Sequence, residues 1–137
     1  MPTEAEWEYA ARGGQKSKKN TKYSGGDNAG YVAWYKENSG GVRPVGEGSH
    51  VNELGIYDMS GNMWEFVSDR YSTYPEDYQH NPQGPTSGNP IFRGGGFLST
   101  ASECRVSWRW EGYDRSYGNY DRLVNDDFGL RLVLDVE

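Results

Sequence analysis

Cysteine is almost missing from this chain: Cys104 stands alone among 137 residues. No disulfide can form within these residues, and one thiol cannot build a multi-thiolate metal site. The redox compartment is therefore not readable from cysteine usage. Long apolar runs are missing too. None approaches the ~18 residues that a membrane-spanning helix requires. The opening Met1-Pro2-Thr3-Glu4 shows no charged-then-apolar leader. Histidine is scarce. His50 and His80 stand in polar surroundings, and neither has a His or Cys partner at ligand spacing. A basic excess is also lacking, since 14 Lys and Arg face 20 Asp and Glu, for a net charge of −6. A nucleic-acid surface would need a basic stripe. The acidic balance is read most simply as solubility. The one basic cluster, Lys16, Lys18, Lys19 and Lys22, sits among Gly, Ser and Asn and reads as a solvated loop.

What the chain does have is rings and glycine. Aromatics make up 15%, with five Trp and eleven Tyr, while hydrophobic residues as a whole reach only 34%. Burial must then come from large side chains rather than aliphatic runs. Nineteen glycines point to a loop-rich fold with short strands. Disordered chains are poor in aromatics, so this one is expected to fold. The length suits one domain, residues 1–137, with a modest core.

The clearest local signal is at the start. Thr3-Glu4-Ala5-Glu6 is a capping box, with Thr3 as N-cap and Glu6 reaching back. Trp7, Ala10 and Ala11 form one apolar stripe, and Gly13-Gly14 end the segment. The spacing predicts a helix at about 4–12, with Trp7 as a core anchor. Residues 13–30 read as loop, Tyr31 to Tyr35 as a turn packed on the core, and Val42 to Val45 as a short extended piece. Phe66-Val67 could open a strand. Residues 70–90, with Pro75, Pro82, Pro85 and Pro90, read as a long surface loop. Gly94-Gly95-Gly96 after Ile91-Phe92-Arg93 suggests a bulge or a close backbone approach. Alternation over Cys104 to Trp110 reads as a strand, as does Phe128 to Val133, with Leu130, Leu132 and Leu134 on one face. There are no internal repeats.

The centre of the chain is Gly55-Ile56-Tyr57-Asp58-Met59-Ser60-Gly61-Asn62-Met63-Trp64-Glu65-Phe66. Its apolar residues follow neither a period of 2 nor of 3.6. A loop this aromatic is expected to be buried or half-buried, with Tyr57, Trp64 and Phe66 as anchors. Its carbonyls must then find partners. A hard cation is one way, because it takes carboxylates and carbonyls together.

Four ordered segments now form a pattern. Pro2-Thr3-Glu4-Ala5-Glu6-Trp7-Glu8-Tyr9-Ala10-Ala11-Arg12-Gly13-Gly14 resembles the helix motif of the formylglycine-generating enzyme (sulfatase-modifying factor) family. Asn52 to Phe66 resembles its central motif. Arg93-Gly94-Gly95-Gly96-Phe97 resembles its Arg-Gly-Gly-Ser-aromatic segment, and Phe128-Gly129-Leu130-Arg131 its closing Gly-Phe-Arg. The resemblance covers residues 2–134. It implies an α+β, C-type-lectin-like fold with short twisted antiparallel strands, few helices and long loops.

The resemblance also carries site expectations. It implies calcium held by the side chains of Asp58 and Glu65 and the carbonyls of Gly61 and Met63. The alternative is that Asp58 caps its own turn and Glu65 pairs with an Arg such as Arg93 or Arg105. Catalytic members use two copper-binding cysteines. The first position falls on Ser99 here and the second near Cys104, which makes Cys104 the one weak catalytic candidate. Ser does not replace a soft thiolate, so copper is not expected, and Cys104 reads as a small buried residue. The iron-dependent sulfoxide synthases of the family need three histidines and are unsupported.

Trp108, Trp110, Tyr113, Arg115, Tyr117 and Tyr120 lie where the variable proteins of diversity-generating retroelements, also relatives, carry their variable surface. Their mixture of Tyr, Trp, Arg, Ser, Gly and Asn suits adaptable binding loops. An ordinary loop with inward-packed rings is the competing reading. At least one of Trp108 and Trp110 is expected in the core.

The expected function is a non-catalytic, calcium-stabilised module for a small ligand or protein, with a formylglycine-generating oxidase, or part of one, as the alternative. Family domains carry a portion ahead of the helix motif, so a homodimer or a complementing chain is expected to cover exposed edges. Family resemblance points to an extracytoplasmic setting. Nucleic acid and membrane insertion are not expected.

Overall fold

The computed structural model describes residues 1–17, 19–48, 50–112 and 127–134. Helix α1 spans Glu4–Ala11, and the capping box forms in full: Thr3 accepts from the Glu6 N–H while the Glu6 carboxylate accepts from the Thr3 N–H. Gly13 follows at φ 88°, the left-handed geometry that stops a helix. A short second helix, α2, spans Ala29–Val32, with the Asn28 side chain as its cap.

Four strands make one mixed sheet: β1 (Trp64–Arg70), β2 (Pro90–Arg93), β3 (Trp110–Glu111) and β4 (Phe128–Leu130), in the order β3-β2-β1-β4. β2 runs antiparallel to β1, pairing Glu65 with Arg93 and Phe66 with Phe92, and the register shifts between Phe66 and Arg70. β3 is antiparallel to β2, with Trp110 opposite Phe92. β4 is parallel to β1, with Trp64 opposite Phe128, which corrects the expected all-antiparallel arrangement. The two strands are far apart in sequence, and a long connection permits parallel pairing.

Alternation along β1 sorts the two faces. Glu65, Val67 and Asp69 turn toward α1. There Trp7, Ala11, Met59, Val67, Ile91 and Val106 form one buried cluster. Trp64 and Phe66 turn the other way, where Phe66, Phe92, Trp110 and Phe128 meet in tilted and stacked contacts with ring centroids 4.3 to 6.4 Å apart. A second buried cluster joins Tyr23, Ala29, Ala33, Tyr35 and Cys104.

Buried charge ties α1 to the sheet. Arg93 is fully buried and pairs with Glu4 at 2.6 Å and Glu8 at 2.5 Å. Arg109 clamps Glu4 from the other side, through bonds of 2.6 and 2.8 Å. The glycines after β2 explain themselves by close approach. Gly94 and Gly95 have positive φ, and a Cβ on Gly95 would lie 2.7 Å from the Cys104 sulfur.

Several expectations need correction. Cys104 to Trp110 is not a strand. A 3₁₀ turn over Ala101–Cys104, started by a second capping box between Thr100 and Glu103, uses those residues first. Only Trp110–Glu111 is extended into the sheet. Tyr57 is 40% exposed rather than a core anchor, while Trp64 is buried. β4 ends at Leu130, earlier than expected. The residues from Val42 to Val45 form irregular chain with both valines exposed. Residues 71–89 are loop, as expected.

Candidate ligand pocket and central loop

The aromatic face of the sheet opens into a small cleft lined by Trp64, Leu98, Ser99, Glu103, Trp110, Asp127 and Phe128. Trp110 stacks on Phe128 at 5.5 Å with 14° between the rings, and tilts against Trp64 at 5.4 Å. Sheet pairing dictates this wall, because Trp64 lies opposite Phe128 and Trp110 opposite Phe92.

The polar rim comes from the capped 3₁₀ turn and its approach. Ser99 is buried, and its hydroxyl oxygen accepts from the Gly96 N–H at 2.9 Å. The Glu103 Oε2 accepts from the Thr100 N–H at 2.7 Å and from the Thr100 hydroxyl at 2.8 Å. Asp127 packs over Gly96, where a Cβ would meet its Oδ2 at 2.9 Å. The Asp127 carbonyl accepts from the Trp64 N–H at 2.7 Å, which fixes it at the mouth of β4.

Cys104 lies behind this turn rather than in it. It has no exposed surface, and burial pushes its thiol up to about 12. A thiol held that high remains protonated at neutral pH and is a poor nucleophile.

Of the six residues expected to bind ligand, Trp110 lines the cleft, while Trp108 is 40% exposed and not part of its wall. Tyr113, Arg115, Tyr117 and Tyr120 lie outside the described residues. Sequence reasoning missed Glu103, Asp127 and Phe128 as pocket residues. The Thr-x-x-Glu pattern at 100–103 was a readable signal for Glu103. The aspartate before Phe128 carried none.

The central loop is held tightly. A Cβ on Gly61 would lie 2.2 Å from the Trp34 carbonyl oxygen, so the bend at φ 80° admits no side chain. The Asn62 side chain braces the loop by accepting from the Arg43 N–H and donating to the Arg43 carbonyl. Asp58 is buried at φ 58°; its Oδ2 accepts from the Gly46 N–H at 2.9 Å. The Asp58 Oδ1 is buried without a hydrogen-bond partner. Glu65 is engaged by other groups. Its Oε1 accepts from Arg131 at 2.6 Å, and its Oε2 from Arg131 at 3.0 Å and from the Trp7 indole at 2.7 Å. The alternative reading paired Glu65 with an arginine such as Arg93 or Arg105; Glu65 does pair with an arginine, and it is Arg131.

A carboxylate offers about four lone-pair sites. Three on Glu65 are used, which leaves one on Oε1. The buried Asp58 Oδ1, left without a partner, is an oxygen of the type a hard cation takes. Among the described residues no three His, Cys, Asp or Glu side chains gather, so backbone carbonyls would have to complete its shell. Gly61 and Met63 are the expected carbonyls, and the Gly61 oxygen already accepts from the Met63 N–H at 2.9 Å. Nearby, the His50 ring packs on Trp34 at 4.3 Å, and burial pushes its imidazole below the usual range.

Known proteins share this architecture. The sulfatase-modifying factor enzyme 1-like domain matches residues 1–136. The chaperone protein LppX of Paenibacillus barcinonensis is 37% identical, over 97% of this chain and 48% of that protein. The formylglycine-generating enzyme of Mus musculus is 31% identical, over 98% of this chain and 39% of the enzyme. Among solved structures, Treponema denticola variable protein 1 aligns at a TM-score of 0.72 and 34% identity, over 81% of this chain and 41% of that one. PvdO from Pseudomonas aeruginosa aligns at 0.64 and 25% identity, over 82% and 46%. The chain thus spans under half the length of each of these relatives. With the helix motif, the glycine-bound central loop and the triple-glycine segment all placed around one sheet, the chain belongs to the sulfatase-modifying factor enzyme 1-like domain family.

Proposed function

We propose that this domain is a non-catalytic binding module whose ligand enters the Trp64–Trp110–Phe128 cleft. The observation that carries the reading is the state of the two positions where copper-binding cysteines would be expected. Ser99 lines the cleft as a hydroxyl, and Cys104 is a buried, protonated thiol behind it. What remains at the cleft is an aromatic wall with a polar rim, the composition of a recognition site. A fragment screen followed by indole N–H NMR shifts tests this. Hits are expected to move the Trp64 and Trp110 signals. A screen whose hits all map elsewhere removes the reading, as does stoichiometric copper binding with oxygen consumption on a cysteine peptide.

Calcium stabilisation belongs to the same proposal. It is supported by the unpartnered, buried Asp58 Oδ1 and by the spare lone pair on Glu65. When bound, the ion would offset two carboxylates and cross-link the central loop to β1. An ion held only by the native state stabilises it by mass action. The melting temperature is therefore expected to fall when calcium is replaced by chelator, and less so in Asp58→Asn. Coincident melts with and without calcium would dispose of the claim.

A further inference from the structure

The cleft has an aromatic wall, two carboxylates on its rim and no basic group among its described lining residues. Trp110 and Phe128 lie nearly parallel and Trp64 closes the angle, so ring faces and edges line one corner. Ring faces attract cations through their quadrupole, and they do so best where water is reduced. Trp64 is buried and Trp110 and Phe128 are half-buried, so this corner is partly desolvated. At the rim, both bonds to Glu103 fall on Oε2, leaving Oε1 without a hydrogen-bond donor among the described residues. Asp127 stands on the other side, fixed over Gly96. An anion would meet the Glu103 carboxylate here.

We propose that the cleft selects a small organic ammonium ion, with its charge against the Trp64–Trp110–Phe128 corner and Glu103. This rests on the reading of the cleft as the ligand site and names the chemical class that site takes. The class follows from the juxtaposition of ring faces with Glu103.

The test compares choline with 3,3-dimethyl-1-butanol, its uncharged carbon isostere, on the full chain. Binding is followed by indole N–H NMR shifts and by tryptophan fluorescence. Choline is expected to bind at least about tenfold more tightly than the isostere, a difference of about 1.4 kcal/mol, and to weaken as salt rises. Glu103→Gln is the informative variant. Gln also serves at the third position of a capping box, so the 3₁₀ turn persists while the charge is removed. It is expected to lower choline affinity several-fold and leave the isostere unaffected. Equal binding of choline and isostere would overturn the ammonium assignment while leaving the cleft as a binding site. So would choline binding that Glu103→Gln does not change. No binding of choline, with fragments of other classes still shifting Trp64 and Trp110, would overturn the assignment alone. Fragments that never reach those indoles would remove the site as well.

Discussion

Asp69 sits on the α1 side of β1, almost wholly buried, with its Oδ2 accepting from the Glu4 N–H. Burial raises its pKa above the usual carboxylate value, and the negative charges of Glu4 and Glu6 push the same way, against the lowering by backbone hydrogen bonds. The native state therefore holds this proton more tightly than the unfolded chain does. Its contribution to stability is complete below the ordinary carboxylate pKa of 3.8 and is lost as pH rises through the higher, folded value. Asp69→Asn keeps an acceptor for the Glu4 N–H and cannot ionise. Its melting temperature relative to the wild type is expected to climb from pH 4 to pH 7. Parallel melting curves across that range would show that Asp69 ionises at no cost. Arg93 is the opposite case, a buried charge with both its partners present. Removing one member of such a pair costs about 3–5 kcal/mol, because the other is left buried and alone. Its Nε is already buried without a partner, so the guanidinium depends on Glu4, Glu8 and the Val106 carbonyl.

At the scale of elements, legibility tracked locality. Helix α1 could be read because Thr3, Glu6, Trp7 and Gly13 place its start, stripe and stop within a dozen residues. The crowding at Gly61 could not be read, because it comes from the Trp34 backbone, distant in sequence. The Glu65–Arg131 pair could not be read, since the partners are 66 residues apart and nothing near either one selects the other. The segment from Cys104 to Trp110 was misread for a physical reason: alternation suggested a strand, but the Thr100–Glu103 capping box supplied a cheaper local structure. The parallel pairing of β4 also follows from tertiary placement rather than from any pattern in its three residues. The Thr3 cap permits a direct check. Thr3→Ala is expected to cost about 1 kcal/mol, or about 4 °C in melting temperature, with Thr3→Ser restoring most of it. The effect should exceed that of an ordinary frayed end, because α1 carries Glu4 and Glu8 to Arg93. A variant that melts with the wild type would mean that the ion pairs alone hold the helix.

For the whole molecule, the sheet has two edges and they differ. β3 is two residues long, whereas β4 is followed by residues 131–134, irregular chain with exposed apolar side chains. Leu130, Leu132 and Leu134 are 60%, 79% and 82% exposed. Arg131 fixes this orientation. It turns inward to Glu65 and to the Tyr57 carbonyl, so its neighbours on either side must turn out. The stripe was legible as three leucines on one face; that the face meets solvent was not, because it depends on where Arg131 finds its partner. A short edge strand followed by exposed leucines is a template for association. At the formal charge of −6, long-range repulsion opposes that association at low salt and is screened as salt rises. The chain is therefore expected to form dimers or larger species that grow with concentration and with salt, measured by sedimentation velocity. Leu132→Lys combined with Leu134→Lys should return it to monomer without altering the melting temperature by more than about 1 kcal/mol equivalent, since surface substitutions seldom cost more than ~0.5 kcal/mol each. A wild-type chain that stays monomeric at high concentration and high salt would show that three exposed leucines are too little surface to hold two copies together.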